Sequence, residues 1–204
     1  VSFLYNLSWA LGQLLLTFGL IKTSGLENVP ASGGVILAAN HQSYFDPPFL
    51  GFSLKREAFY VAKKELYGFK PIGWLLRQLN TVSVKRGIPD PQAYKKAIKL
   101  LLSGRCLVLF PEGTRSRGDR FLEPKLGVGL LALEAKVPIV PVYLENTRGF
   151  LRLLFTRKRV SIRFGPPLGI KWLETLTNDK AGYQQVVGEW LKRIESMRCT
   201  AKPE

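Results

Sequence analysis

Apolar positions along the chain cluster into short runs separated by segments with helical spacing. VILAA (35–39), AFYVA (58–62), TVSV (81–84), CLVLF (106–110), IVPVYL (139–144) and VSIRF (160–164) each have the length and composition of a strand. Helices are expected between and after them, at 49–54, Pro71 to Leu79, 127–136 and about 180–197. Another helix opens at Asp90-Pro91, with Tyr94, Ala97, Ile98, Leu101 and Leu102 on its apolar face, and closes at Gly104. Lys95, Lys96 and Lys99 form its wet side. The final helix turns Tyr183, Val186, Val187, Trp190, Leu191 and Ile194 inward. Strands alternating with helices predict an α/β fold, with a mostly parallel or mixed central sheet flanked by helices.

Residues 1–21 carry no charge. As a helix they would extend about 31 Å at roughly 1.5 Å per residue, enough to cross a bilayer core. Asn6, Ala10, Gln13 and Thr17 share one stripe, however, and Tyr5 and Trp9 suit an interface. The segment therefore equally suits a helix lying in one leaflet, or one packed on the domain, as well as a long buried soluble helix. It has neither the basic start nor the small-residue cleavage site of a signal peptide. The organisation expected is an apolar membrane-associated helix over residues 1–23 and an α/β domain over 24–204.

Thirty basic residues against fifteen acidic ones leave a net charge of +15 over 204 residues. Such a field favours a polyanionic partner: nucleic acid, an anionic membrane surface or a phosphorylated substrate. No RNA-binding signature or basic recognition helix is visible, which argues against nucleic acid. A second stretch, TRGFLRLLFTRKR (147–159), sets Arg148, Arg152, Arg157, Lys158 and Arg159 around Phe150, Leu151, Leu153, Leu154 and Phe155, a pattern suited to anionic lipid. Cys106 and Cys199, at unrelated positions, form no disulfide or metal framework and fit a reducing compartment.

The chemistry begins where VILAAN meets HQSYFDPP. His41, the only histidine, follows a buried strand, and Asp46 stands five positions later before Pro47, with the grammar of a helix start. That spacing lets the carboxylate hold one ring nitrogen and leaves the other to accept a proton. It also suits a histidine satisfied in a turn beside a capping aspartate. In sheets of this kind function gathers at the carboxyl ends of the strands. Arg86 follows TVSV, and Glu112-Gly113-Thr114-Arg115 follows CLVLF, so both converge on the end that carries His41. Arginine offers a planar fork for phosphate oxygens, and Gly113 lets backbone approach a ligand closely. A nucleophile elbow, a zinc-binding H-E-x-x-H, a P-loop and a G-x-G-x-x-G turn are all absent, and Cys106 inside a strand suits packing better than reaction.

NHQSYFDP resembles the H-x4-D signature of the glycerolipid acyltransferases. FPEGTRS (110–116), VPIVPV (137–142), GLENVP (25–30) and VAKKEL (61–66) resemble further blocks of that family, in order. The resemblance implies transfer of a fatty acyl chain from acyl-CoA or acyl carrier protein to the sn-2 hydroxyl of 1-acylglycerol 3-phosphate (lysophosphatidic acid), giving phosphatidic acid. His41 would be the base and Asp46 its orienting partner. Arg86 and Arg115, with Lys63, would face the acceptor's phosphate, and Glu112 would orient those cations or their loop. Neither metal nor other cofactor is implied, and the expected location is the cytoplasmic face of a membrane. Glycerol 3-phosphate or another lysophospholipid is the alternative acceptor, and a non-enzymatic basic membrane- or nucleic-acid-binding module the alternative outside enzymes. A lysine pair often precedes the glycine after FPEGTRS in the family; here Lys125 stands alone in PKLG.

Overall fold

The computed structural model describes residues 12, 17–68, 70, 76, 80–85, 90–118, 120–148 and 159–200. Its strands are β1 (Ile21–Ser24), β2 (Val35–Ala39), β3 (Ala58–Lys63), β4 (Thr81–Val84), β5 (Cys106–Leu109), β6 (Ile139–Glu145) and β7 (Val160–Phe164). They form one sheet in the order β1-β7-β6-β2-β5-β3-β4. Neighbours are parallel except β6 and β7, so β1 and β7 run against the other five. The helices are α1 (Asp46–Ser53), α2 (Pro91–Leu102), α3 (Gly127–Ala135), the short α4 (Ile170–Leu173) and α5 (Lys180–Cys199). The mixed α/β architecture expected from the alternation is the one observed.

β2 occupies the sheet's interior and all five of its residues are buried, which is why it reads as an unbroken apolar run. Its side chains alternate between two cores. Ile36 and Ala38 join Leu107, Ile139, Val186 and Trp190 under α2, α3 and α5. Val35, Leu37 and Ala39 join Phe49 and Leu50 of α1 on the other face. Trp190 is fully buried and its indole N–H donates to the Ala38 carbonyl at 2.9 Å, tying α5 to the sheet's central strand. Helix α3 meets α5 at Gly129, where an added Cβ would lie 2.8 Å from Tyr183 backbone atoms. Any larger residue would force the two helices apart.

The structure corrects several expectations. Ile21–Ser24 is a sheet strand, parallel to β7, where the hydrophobic pattern had extended an apolar helix to Ile21 and left a connector after it. Of these residues only Ile21 is buried, so an edge strand with three exposed positions carries almost no periodic signal. Residues 1–11 and 13–16 of the proposed membrane helix lie outside the described residues, and among the described residues no helix is long and apolar enough to cross a membrane. The helix expected over 71–79 also falls outside them except at Leu76. Helix α2 starts as expected, with the Asp90 carboxylate accepting from the Ala93 N–H at 3.1 Å. Leu102, assigned to its apolar face, is 68 % exposed because it sits in the last turn, past the edge of the core.

Candidate active site

Strands β2, β5, β3 and β4 lie side by side and parallel, so the segments that follow them emerge at one end of the sheet. Sequence order does not match spatial order. The segment after β5, which carries Glu112 to Arg115, is the immediate neighbour of the turn after β2. At roughly 4.8 Å per strand, β3 with Lys63 lies about 10 Å from β2, and β4 about 14 Å.

The turn after β2 is built around one carboxylate. Asp46 is completely buried, and its Oδ2 accepts from the N–H groups of Gln42 at 2.6 Å and Ser43 at 2.7 Å. The same oxygen lies 2.8 Å from His41 Nδ1. With two backbone donors already on Oδ2, the ring is the donor in the third contact, which leaves the lone pair on Nε2. Among the described residues nothing hydrogen-bonds Nε2, and 13 % of the His41 side chain is open to solvent. The ring is thus oriented by the carboxylate and stays partly open to solvent.

Asp46 was expected to cap the following helix. It is instead the first residue of α1, with Phe45 at the cap position and Pro47 and Pro48 in the first turn. Its side chain turns backward over residues 41–43, and Oδ1 is buried without a partner. Oδ2 alone is thereby committed to the histidine turn.

Three neighbours hold that turn in place. Asn40, fully buried, acts as an extra rung between β2 and β6: its Nδ2 donates to the Leu144 carbonyl at 3.0 Å and its Oδ1 accepts from the Leu144 N–H at 2.7 Å. Glu112 accepts from the His41 N–H at 2.8 Å through Oε1 and from the Leu122 N–H at 2.9 Å through Oε2. Burial raises the Glu112 carboxyl above the usual carboxylate range, against those hydrogen bonds, which act to lower it. Phe110 stacks on the His41 ring, with centroids 4.2 Å apart and planes at 25°. Glu112 therefore orients the histidine turn through the backbone and, among the described residues, pairs with no cation. Asn40 and Phe110 were not singled out as site residues, although both stand inside the blocks read as motifs.

The loop after β5 is fastened to the same turn. The Ser116 N–H donates to the His41 carbonyl at 2.8 Å, and Gly113 adopts a left-handed backbone at φ +67°. A Cβ there would meet the Lys125 side chain at 2.9–3.1 Å, so Lys125, the solitary lysine of PKLG, lies over the glycine. Thr114 is exposed. The Arg115 guanidinium carbon lies 3.4 Å from the centroid of the Tyr44 ring. Arg148 donates to the carbonyls of Ser116, Arg117 and Gly118, the last two at 2.9 Å, and so braces the loop. That engagement removes Arg148 from the set of basic residues expected to face lipid; residues 149–158 lie outside the described ones.

Lys63 ends β3 and faces Glu65 at 3.6 Å, both partly exposed, an arrangement that contributes little stability. Arg86 lies outside the described residues, although β4, which precedes it, points to the same end of the sheet. Cys106 is buried in β5 and its thiol is pushed up to about 12 by burial, which leaves it inert. Among the described residues no cluster of His, Cys, Asp and Glu could hold a metal ion.

Comparison with known proteins fits this geometry. The chain is 34 % identical to a 1-acyl-sn-glycerol-3-phosphate acyltransferase of Bacillus subtilis (strain 168), over 78 % of this chain and 79 % of that protein. It is 34 % identical to the protein of the same name from Streptococcus pneumoniae, over 71 % of this chain and 53 % of the other. The crystal structure of the 1-acyl-sn-glycerophosphate (LPA) acyltransferase PlsC from Thermotoga maritima superimposes with a TM-score of 0.71 at 27 % identity, covering 98 % of this chain and 81 % of that one. The model of the family described as Acyltransferase matches residues 20–145, from the start of the sheet through β6 and the whole of the site. On that match, and on a histidine and carboxylate paired at the sheet's catalytic end, the chain belongs to the acyltransferase family.

Proposed function

We propose that the protein transfers a fatty acyl chain from an acyl thioester to the sn-2 hydroxyl of 1-acylglycerol 3-phosphate, producing phosphatidic acid. The observation that carries this reading is the His41–Asp46 pair, 2.8 Å apart, with Nε2 not hydrogen-bonded among the described residues. His41 Nε2 takes the hydroxyl proton as the oxygen attacks the thioester carbonyl, and Asp46 steadies the imidazolium that forms. Collapse of the tetrahedral intermediate expels a thiolate, which leaves with little acid assistance. The chemistry then requires no metal and no covalent enzyme intermediate. The names of the relatives support the acceptor, and so does a cation, Arg115, carried on the loop bonded to His41.

Acyl-CoA or acyl carrier protein serves as the donor in this proposal. Both acceptor and product are amphiphiles, so the enzyme would work at the cytoplasmic face of a membrane. The net charge of +15 and the uncharged residues 1–21 support attachment to an anionic surface. Arg86 and Lys63 would join Arg115 at the phosphate.

The test is thiol release from acyl-CoA measured across lysophosphatidate, glycerol 3-phosphate and lysophosphatidylcholine, repeated with acyl carrier protein. Lysophosphatidate is expected to be preferred by at least tenfold in kcat/KM. Preference for lysophosphatidylcholine would overturn the substrate.

A further inference from the structure

Tyr44 is an unusual residue to leave in the open. It is 70 % exposed, yet it stands within the buried His41–Asp46 turn. Its ring carries the Arg115 guanidinium at 3.4 Å from its centroid. A guanidinium bound through its face keeps all its N–H donors in the plane, directed outward at the rim. Among the described residues no carboxylate pairs with Arg115, so the stack fixes the plane without occupying the donors.

The position of Tyr44 is itself set by the catalytic carboxylate. Asp46 Oδ2 holds the Ser43 N–H at 2.7 Å, and the Ser43 hydroxyl accepts from the Phe45 N–H at 3.1 Å. The Asp46 N–H closes the turn on the Ser43 carbonyl at 3.3 Å. Tyr44 is thus the apex of a turn whose two sides are anchored to the group that orients His41. From the other direction, the Ser116 N–H anchors the Arg115 loop to the His41 carbonyl at 2.8 Å.

We infer that Tyr44 is a positioning residue for acceptor recognition: its ring is the platform that presents the Arg115 fork to the acceptor's phosphate at a set distance from His41. The inference rests on the acceptor reading above and deepens it. Loss of the ring releases the guanidinium into many rotamers, and binding must then re-order it. Chemistry at His41 is untouched, because Asp46, Gln42 and Ser43 hold that turn without the Tyr44 side chain.

The experiment compares Tyr44→Leu, Tyr44→Phe and Tyr44→Trp with the wild-type enzyme, varying lysophosphatidate and acyl-CoA separately. Tyr44→Leu should raise KM for lysophosphatidate about three- to tenfold. Its kcat and its KM for acyl-CoA should stay within about twofold of wild type. Tyr44→Phe and Tyr44→Trp keep an aromatic face and should restore the acceptor KM. In an Arg115→Ala background, Tyr44→Leu should add nothing, since its only route to the phosphate is gone. An unchanged acceptor KM in Tyr44→Leu would overturn the inference. So would a phenylalanine variant as impaired as the leucine one, or full additivity with Arg115→Ala. A wild-type enzyme that ignores lysophosphatidate would overturn the acceptor reading first, and this inference with it; turnover by wild type with no Tyr44 effect would overturn this inference alone.

Discussion

Two regions at the same end of the sheet are built on different physical terms. The histidine turn is enclosed: Asn40, Asp46 and Glu112 are between 0 and 3 % exposed, and each is hydrogen-bonded to backbone of the turn or its neighbours. The cationic rim is open. Arg115 lies on a largely exposed ring, and Lys63 faces Glu65 loosely at 3.6 Å. A general base works from a single geometry, so burial and backbone hydrogen bonds suit it. A rim proposed to hold phosphate must exchange amphiphilic ligands and would work through charge and outward-facing donors. One carboxylate, Asp46, lies behind both regions, directly under His41 and through Ser43 under Tyr44.

The largest effects should come from breaking the enclosed region. His41→Ala should abolish transfer while the protein stays folded by circular dichroism, since the ring bonds only to Asp46 among the described residues. Asp46→Asn should lower kcat by roughly a thousand- to ten-thousandfold, because the amide can hold the ring in the wrong tautomer. An asparagine variant within tenfold of wild type would show that the carboxylate's charge is dispensable.

Changes on the open rim should be smaller and confined to the acceptor. Arg115→Ala should weaken kcat/KM for lysophosphatidate about ten- to a hundredfold, the scale of one charge-assisted phosphate contact. Arg115→Lys should recover only part of this, since the planar fork is lost. Equal losses on lysophosphatidate and on an uncharged monoacylglycerol would mean that Arg115 holds the loop and does not bind phosphate.

Glu112 sharpens the contrast, since it belongs to the rim by sequence and to the enclosed region by contact. Glu112→Gln leaves one acceptor oxygen for two backbone donors, and an unpaired buried N–H costs about 1–3 kcal/mol. Thermal unfolding should therefore occur about 2–10 °C lower. The pH dependence has a definite sign. Because burial raises the folded carboxyl above 4.5, the folded state binds the proton more tightly than the unfolded one. The contribution of that titration is fully present below 4.5 and is lost as pH rises through the folded value. The gap in melting temperature between wild type and Glu112→Gln should thus widen as the solution is acidified from neutrality towards that region. A gap that closes over the same range would mean that the carboxylate is stabilised, and not strained, by its burial.

Much of this molecule was written locally. β2, β5 and β6 announce themselves as apolar runs, because a strand covered on both faces has no polar alternation to hide it, while β4 and β7 show the alternating pattern. The His41–Asp46 pairing was legible for a related reason: both partners lie in one turn, five residues apart, where chain geometry alone brings them together. What the sequence left undetermined depends on partners distant along the chain. Asn40 finds Leu144 across 104 positions, Arg148 reaches back to Ser116 over 32, and β1 pairs with β7 at the far end of the domain. None of these leaves a periodic trace, since a single polar side chain or a short, exposed edge strand looks the same paired or unpaired. The order of the strands matters most. Only the placement of β5 between β2 and β3 brings Glu112 under the histidine and Arg115 onto Tyr44, and that order was decided by how the two faces of the sheet could be covered.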